Sequence, residues 1–129
     1  MAHTILLLED EPLILMDLEY AAEDLGCHVL PASTTQEALD LIAAYRDALT
    51  VAVLDVSLGE RTTCFAVAQE LERLETPFIL HSGDLDRHDE RIRELGAELV
   101  AKPAPADRVI ATAIAYAQGD DPRQSRLPG

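Results

Sequence analysis

Carboxylates, one hydroxyl and the only lysine of the chain stand at the ends of short, mostly apolar segments. Glu9 and Asp10 follow one such segment, and Asp55 ends another. Ser82 and Lys102 follow two further segments in the same way. A carboxylate at the end of a buried strand can act as a nucleophile or bind a cation, whereas the simplest alternative for Asp55 is that it caps the following turn. These residue types predict a site of oxygen ligands, a hydroxyl and one cation if the fold brings them together.

The elements that must position these residues alternate between strands and helices. Short apolar runs predict strands at 4–8, 27–32, 51–54, 78–81 and 98–101. Apolar residues at helical spacing predict helices at 12–25, from 34 to about 45, around 65–74, at 85–95 and at 106–117. Thr34 and Glu37 form a capping-box pattern at the start of the second helix. The alternation predicts an α/β fold, a five-stranded parallel sheet with helices on both faces.

Pro31 indicates the order of the strands. It removes one hydrogen-bond donor from the second strand, which is tolerated best at the edge of a sheet. The strand order is then 2-1-3-4-5, the flavodoxin-like doubly wound arrangement, with its switch point between the first and third strands. Glu9, Asp10 and Asp55 stand at the carboxyl ends of those two strands. The fold therefore collects three carboxylates in the crevice where such sheets bind ligands.

Three neighbouring carboxylates require a shared proton or a cation. At about 4 Å and an effective dielectric constant near 20, each pair repels by roughly 4 kcal/mol. Oxygen ligands without a nearby His or Cys favour Mg²⁺, whose coordination is typically completed by water and phosphate oxygens. Ser82 and Lys102 end on the same sheet edge and could supply a hydroxyl and a cation for those oxygens. The set predicts metal-assisted phosphoryl transfer to a carboxylate nucleophile.

Composition and charge restrict the class of protein. The chain has 129 residues, which we divide into one domain at 1–118 and an exposed or disordered tail at 119–129, with no output domain after it. The formal charge of −14 disfavours nucleic acid as a partner. No segment is apolar for long enough to be a signal peptide or a membrane span. Cys27 and Cys64 lack metal-ligand spacing and are predicted to be buried thiols. We expect a cytoplasmic protein that binds neither nucleic acid nor membranes, and the oligomeric state stays open.

Taken in order, these residues resemble the receiver domain of two-component response regulators (CheY-like). The resemblance extends from about residue 4 to 117. It matches the acidic pair, the phosphoacceptor, the conserved hydroxyl and the lysine–proline signature of that family with Glu9-Asp10, Asp55, Ser82 and Lys102-Pro103, respectively. The chain is therefore expected to be a stand-alone receiver.

The resemblance also implies a mechanism. Mg²⁺ would be held by Glu9, Asp10, Asp55 and the backbone carbonyl of Ser57. Asp55 would take a phosphoryl group from a sensor histidine kinase or a histidine phosphotransfer protein. Lys102 and Ser82 would then bind the phosphoryl oxygens, and the phosphorylated chain would signal to a downstream protein target through protein contacts.

Other positions are expected to set the lifetime and the output of the signal. Ser57 and Asp84 lie two residues beyond the acceptor and the hydroxyl, where relatives tune the access of hydrolytic water. Leu99 stands where receivers often carry Tyr or Phe, which removes the usual aromatic switch. The switch and partner face is then expected to involve Ser82, Leu99, Leu85 and Arg91, the last two in the polar helix 85–95. His81 points away from Ser82 by the alternation of a strand and is predicted to be packed.

Two alternatives belong to other classes. An unphosphorylated pseudo-receiver would act only as an interaction module, although the complete acceptor set argues against it. A hydrolase of the haloacid dehalogenase type also uses an aspartyl nucleophile on a parallel sheet. It normally needs a second acid two residues after the first, where this chain has Ser57.

Overall fold

The computed structural model describes residues 3–56, 64–82, 98–102 and 104–118. The elements in these ranges are β1 (Thr4–Leu8), α1 (Pro12–Asp24), β2 (His28–Ala32), α2 (Thr35–Tyr45), β3 (Val51–Asp55), α3 (Phe65–Arg73), β4 (Phe78–Ser82), β5 (Glu98–Ala101) and α4 (Ala106–Ala117). Their bounds lie within one or two residues of the predicted strands and helices. The predicted helix 85–95 and the tail 119–129 lie outside the described residues, as do Ser57, Asp84, Leu85 and Arg91.

The strands form one parallel sheet in the order β2-β1-β3-β4-β5, which confirms the predicted fold class. Pro31 lies in the edge strand β2 opposite Leu7 of β1, and its ring is exposed. A residue without an N–H is tolerated there because one side of an edge strand makes no ladder hydrogen bonds. The chain thus has the switch point between β1 and β3 that the position of Pro31 predicted.

Two apolar layers hold the sheet between its helices. Side chains on one face of the sheet, such as those of Leu6 and Leu54, pack with α2 and α3. Side chains on the other face, such as those of Leu7 and Val53, pack with α1 and α4. Because side chains alternate between the two faces of a strand, a strand covered on both faces must be apolar at every position. This explains the continuous apolar runs 5–8 in β1 and 51–54 in β3; both strands are buried along their whole length.

The start of α2 has the predicted Thr34 cap, and Glu37 also binds Ser33. Thr34 is the N-cap, and its Oγ1 accepts a hydrogen bond from the Glu37 N–H at 3.1 Å. Glu37 Oε1 accepts from the backbone N–H of Ser33 at 2.9 Å and from the Ser33 hydroxyl at 2.8 Å, two contacts that the capping-box pattern does not specify. These hydrogen bonds from Ser33 lower the pKa of Glu37.

Two further predictions are refined by burial and helix length. Cys64 is buried as predicted, but Cys27 is only half-buried, because it lies in the short connection between α1 and the edge strand β2. In the ranges that the structure describes, every helix is too short or too polar to cross a membrane.

Candidate functional site

The carboxyl ends of β1 and β3 bring three carboxylates together. The two strands are neighbours, and the last pair in their register joins Leu8 to Leu54. The residues that follow, Glu9 and Asp10 on one side and Asp55 on the other, therefore meet at one edge of the sheet. One carboxylate oxygen from each lies within 4.8 Å of the others. Glu9 and Asp55 are each 1% exposed, and Asp10 is half-buried.

Lys102 reaches this cluster from the other side of β4. Its Nζ donates a hydrogen bond to Asp55 Oδ1 at 2.7 Å and lies 3.7 Å from Glu9 Oε1. Lys102 directly follows β5, and β4 separates β5 from β3 in the sheet. Its side chain therefore crosses the carboxyl end of β4, and 24% of it stays exposed. Lys102 supplies a positive charge at the position that the sequence predicted.

The charges in this crevice do not balance within the described residues. Burial is the main effect that raises the pKa of Glu9 to about 7, and the negative charge of Asp55 adds to it. A hydrogen bond that Glu9 Oε2 accepts from the Glu11 N–H at 3.1 Å opposes this rise. Burial likewise raises the pKa of Asp55, more than the hydrogen bond from Lys102 lowers it. Burial alone would lower the pKa of Lys102, but its pairing with Asp55 and Glu9 raises it. One ammonium group thus faces three carboxylates.

The donor set fits a hard divalent cation. All three candidate ligands are carboxylates, the type that Mg²⁺ and Ca²⁺ prefer. Glu9 Oε1 is buried and accepts no hydrogen bond from the residues described here. A buried carboxylate oxygen without a donor is costly unless a proton or a cation satisfies it. The cluster of Glu9, Asp10 and Asp55 can therefore hold a metal ion.

The other predicted site residues are placed only in part. The backbone of Ser82 ends β4 opposite Ala101, at the same sheet edge as Asp55 and Lys102. Leu99 is half-buried and packs into the apolar layer shared with α2 and α3. The predicted roles of Ser57, Asp84, Leu85 and Arg91 concern residues outside the described ranges.

His81 and a small cavity lie beside the acidic cluster. His81 is paired with Asp55 in the register of β3 and β4, and its ring is buried as predicted, with 4% of the residue exposed. Burial, with the nearby charge of Lys102, lowers the pKa of His81 to about 4. His81 and Lys102 both line a cavity that also touches α1 and α4. The sequence carried no signal for this cavity, because an internal void depends on how the helices pack.

Comparison with known proteins places the chain among bacterial regulators. No protein-family model matches it. It is 33% identical to the phyllosphere-induced regulator PhyR of Methylorubrum extorquens in an alignment 129 positions long, which covers 97% of this chain and 48% of that protein. The chain thus spans about half the length of that curated relative.

Two solved structures resemble it along nearly their whole length. The receiver domain of the PhyR response regulator of Erythrobacter litoralis is 25% identical, with a TM-score of 0.74, over 99% of this chain and 95% of that one. SdrG of Sphingomonas melonis Fr1 is 32% identical, with a TM-score of 0.70, over 91% and 97%.

Proposed function

Because the chain belongs to the receiver domains of response regulators, we propose that it accepts a phosphoryl group on Asp55 and signals through protein contacts. The observation that carries the proposal is the environment of Asp55. Asp55 is 1% exposed, and its carboxylate accepts a hydrogen bond from Lys102 at 2.7 Å and lies with those of Glu9 and Asp10 in one cluster. This is a nucleophile held beside a cation and two further carboxylates, at the switch point of a parallel sheet.

The donor is a phosphorylated histidine of a sensor kinase or of a histidine phosphotransfer protein. A carboxylate oxygen of Asp55 forms the new P–O bond, and the P–N bond to the donor imidazole breaks with its electron pair on nitrogen. Lys102 fixes Asp55 through Oδ1, which orients the carboxylate before attack. Its ammonium group then lies close enough to bind oxygens of the transferred phosphoryl group. By the family resemblance, the Ser82 hydroxyl is expected to bind them as well.

Glu9, Asp10 and Asp55 are the residues that would hold Mg²⁺, with the Ser57 carbonyl as a further ligand. When bound, Mg²⁺ neutralises charge on the phosphoryl oxygens during transfer. Among the described residues, three carboxylates of the crevice face one cation and Glu9 Oε1 accepts no hydrogen bond, and both observations support this choice.

Several finer points belong to the same proposal. We take 1–118 as the receiver domain and infer that the protein acts in the cytoplasm. Ser57 and Asp84 set the lifetime of the phosphoryl group by controlling hydrolytic water. Leu99 is aliphatic and cannot act as an aromatic switch, which leaves Ser82 and the segment with Leu85 and Arg91 as the route to a downstream protein.

Intact-mass spectrometry tests the proposal. The whole chain is incubated with Mg²⁺ and acetyl phosphate or phosphoramidate, and the modified residue is mapped. We expect one phosphoryl adduct per chain, present in the matched variant Asp107→Asn, whose carboxylate is exposed on α4. The adduct should be absent from Asp55→Asn and from samples with EDTA.

The other outcomes distinguish the alternatives. An adduct that persists in Asp55→Asn would refute Asp55 as the acceptor. No adduct with any donor would favour the pseudo-receiver, and rapid multiple turnover of phosphate esters would favour the hydrolase.

A further inference from the structure

A cavity of about 200 Å³ lies between α1, α4 and the carboxyl ends of β4 and β5. Leu18 of α1 and Ala106 of α4 contribute apolar wall, and Asp17 of α1 contributes an exposed carboxylate. His81 and Lys102 complete the polar part of the described wall. We call this cavity the His81 pocket. It adjoins the carboxylate cluster through Lys102, but Glu9, Asp10 and Asp55 do not line it.

His81 is the unsatisfied group of the pocket. Only 4% of the residue is exposed, and neither Nδ1 nor Nε2 has a hydrogen-bond partner in the described structure. Buried polar side chains nearly always have such a partner, and leaving one without it is unfavourable. A neutral imidazole offers one N–H donor and one nitrogen acceptor. Because the ring lines the cavity, a molecule in the cavity can supply the missing partner.

The size and charge of the pocket restrict that molecule. A dry apolar cavity of about 150 Å³ can hold benzene, so a cavity of this volume admits a single ring or a compact bicyclic ring. The apolar walls favour the faces of a planar ring. Asp17 accepts hydrogen bonds, and the chain carries a net charge of −14, so an anion is disfavoured. Lys102 does not reverse this preference, because it already pairs with Asp55 and Glu9.

We propose that the His81 pocket binds a small planar heteroaromatic molecule that carries an N–H group. One ring nitrogen hydrogen-bonds to His81, and the other end of the ring faces Asp17 at the mouth. The site goes beyond phosphoryl acceptance and does not depend on it. An azole or a benzimidazole has the required combination of planarity, size and nitrogen chemistry.

Titration of the full chain with benzimidazole, followed by ¹H–¹⁵N NMR, tests the site. We expect saturable shifts of amides around Leu18, His81 and Ala106. Indene has a nearly identical shape but no nitrogen, and should bind at least about tenfold more weakly, because it leaves His81 without a partner. No saturation up to the solubility limit of benzimidazole would overturn the proposal and leave a pocket that holds only water. Equal binding of indene would overturn it too, because the ring would then bind without the hydrogen bond to His81.

Two variants separate the hydrogen bond from the space. His81→Leu replaces the imidazole with an apolar side chain of similar length and should weaken binding at least about tenfold. The matched control is His28→Leu on the edge strand β2, where the histidine is exposed and distant from the pocket; it should bind normally. Ala106→Leu keeps His81 but fills the cavity, so it should abolish the shifts, and it remains informative if His81→Leu fails to fold. Unchanged binding in a folded His81→Leu or Ala106→Leu protein would contradict the assignment.

Discussion

Replacing Lys102 with methionine removes a cation from a crevice that contains three carboxylates. The Nζ–oxygen distances are 2.7 Å to Asp55 and 3.7 Å to Glu9. At an effective dielectric constant near 20, these contacts correspond to gross attractions of about 6 and about 4 kcal/mol. Desolvation of the charged groups offsets most of this attraction. Measured losses from breaking buried ion pairs suggest a net destabilisation of about 3 to 5 kcal/mol when the carboxylates stay ionised.

The loss should depend on pH, because Glu9 and Asp55 can bind protons instead. The pKa of Glu9 is already raised to about 7, and that of Asp55 is raised as well. A carboxyl group whose pKa is higher in the folded protein contributes stability that is present below its unfolded pKa and is lost as the pH rises through its folded pKa. Without Lys102 both folded values rise further. We expect a destabilisation of about 1 kcal/mol at pH 5.5 and about 3 kcal/mol at pH 8.

Urea unfolding with EDTA at the two pH values measures this difference. Arg108→Met, which removes an exposed cation from α4, is the matched control and should stay close to the wild type at both. Excess Mg²⁺ at pH 8 should restore part of the stability of Lys102→Met, because a divalent cation replaces the lost charge. Equal destabilisation at both pH values, or none at pH 8, would show that Lys102 does not balance the buried carboxylates.

Two further predictions concern the metal site and the start of α2. The affinity of the metal-free chain for Mg²⁺, measured by calorimetry, should rise about tenfold or more from pH 6 to pH 8. Glu9 has a pKa of about 7 and must lose its proton before it can bind the metal ion. An affinity that does not change with pH would argue against Glu9 as a ligand. Thr34→Ala should lower the free energy of unfolding by about 1 kcal/mol, because Thr34 Oγ1 caps α2. Thr35→Ala should lower it clearly less, because Thr35 Oγ1 has no hydrogen-bond partner in the described structure. Equal losses of stability in thermal unfolding would refute the cap.

The strands and their order were predictable because burial on both faces leaves a direct trace in the sequence. β1 and β3 each contain a continuous apolar run, and each run stops at the carboxyl end of its strand. Pro31 identified the edge strand through one missing donor. Once the strand order was predicted, Glu9, Asp10 and Asp55 could be placed together, because neighbouring parallel strands have their carboxyl ends at the same side of the sheet. Side-chain positions were not needed for this step.

Other details depend on side-chain positions that a linear pattern does not encode. The position of Lys102 at the end of β5 was predicted, but its approach to both Asp55 and Glu9 depends on how a long side chain crosses β4. Glu37 also accepts two hydrogen bonds from Ser33, which the capping-box pattern does not specify. The His81 pocket results from the gap between two packed helices, and the residue types along α1 and α4 do not predict it.

Among the described residues, the crevice departs from the usual rule that buried charges are matched one to one. A proton, a metal ion and the oxygens of a phosphoryl group would therefore all act on the same few atoms of Glu9, Asp55 and Lys102. A proton on Glu9 relieves the repulsion that a divalent cation would otherwise relieve, so the two compete. A phosphoryl group on Asp55 instead adds negative charge, which both Lys102 and a cation would neutralise, so the metal and the phosphoryl group should favour each other. A crevice balanced by a second lysine would be more stable alone, but it would have less affinity for either ligand.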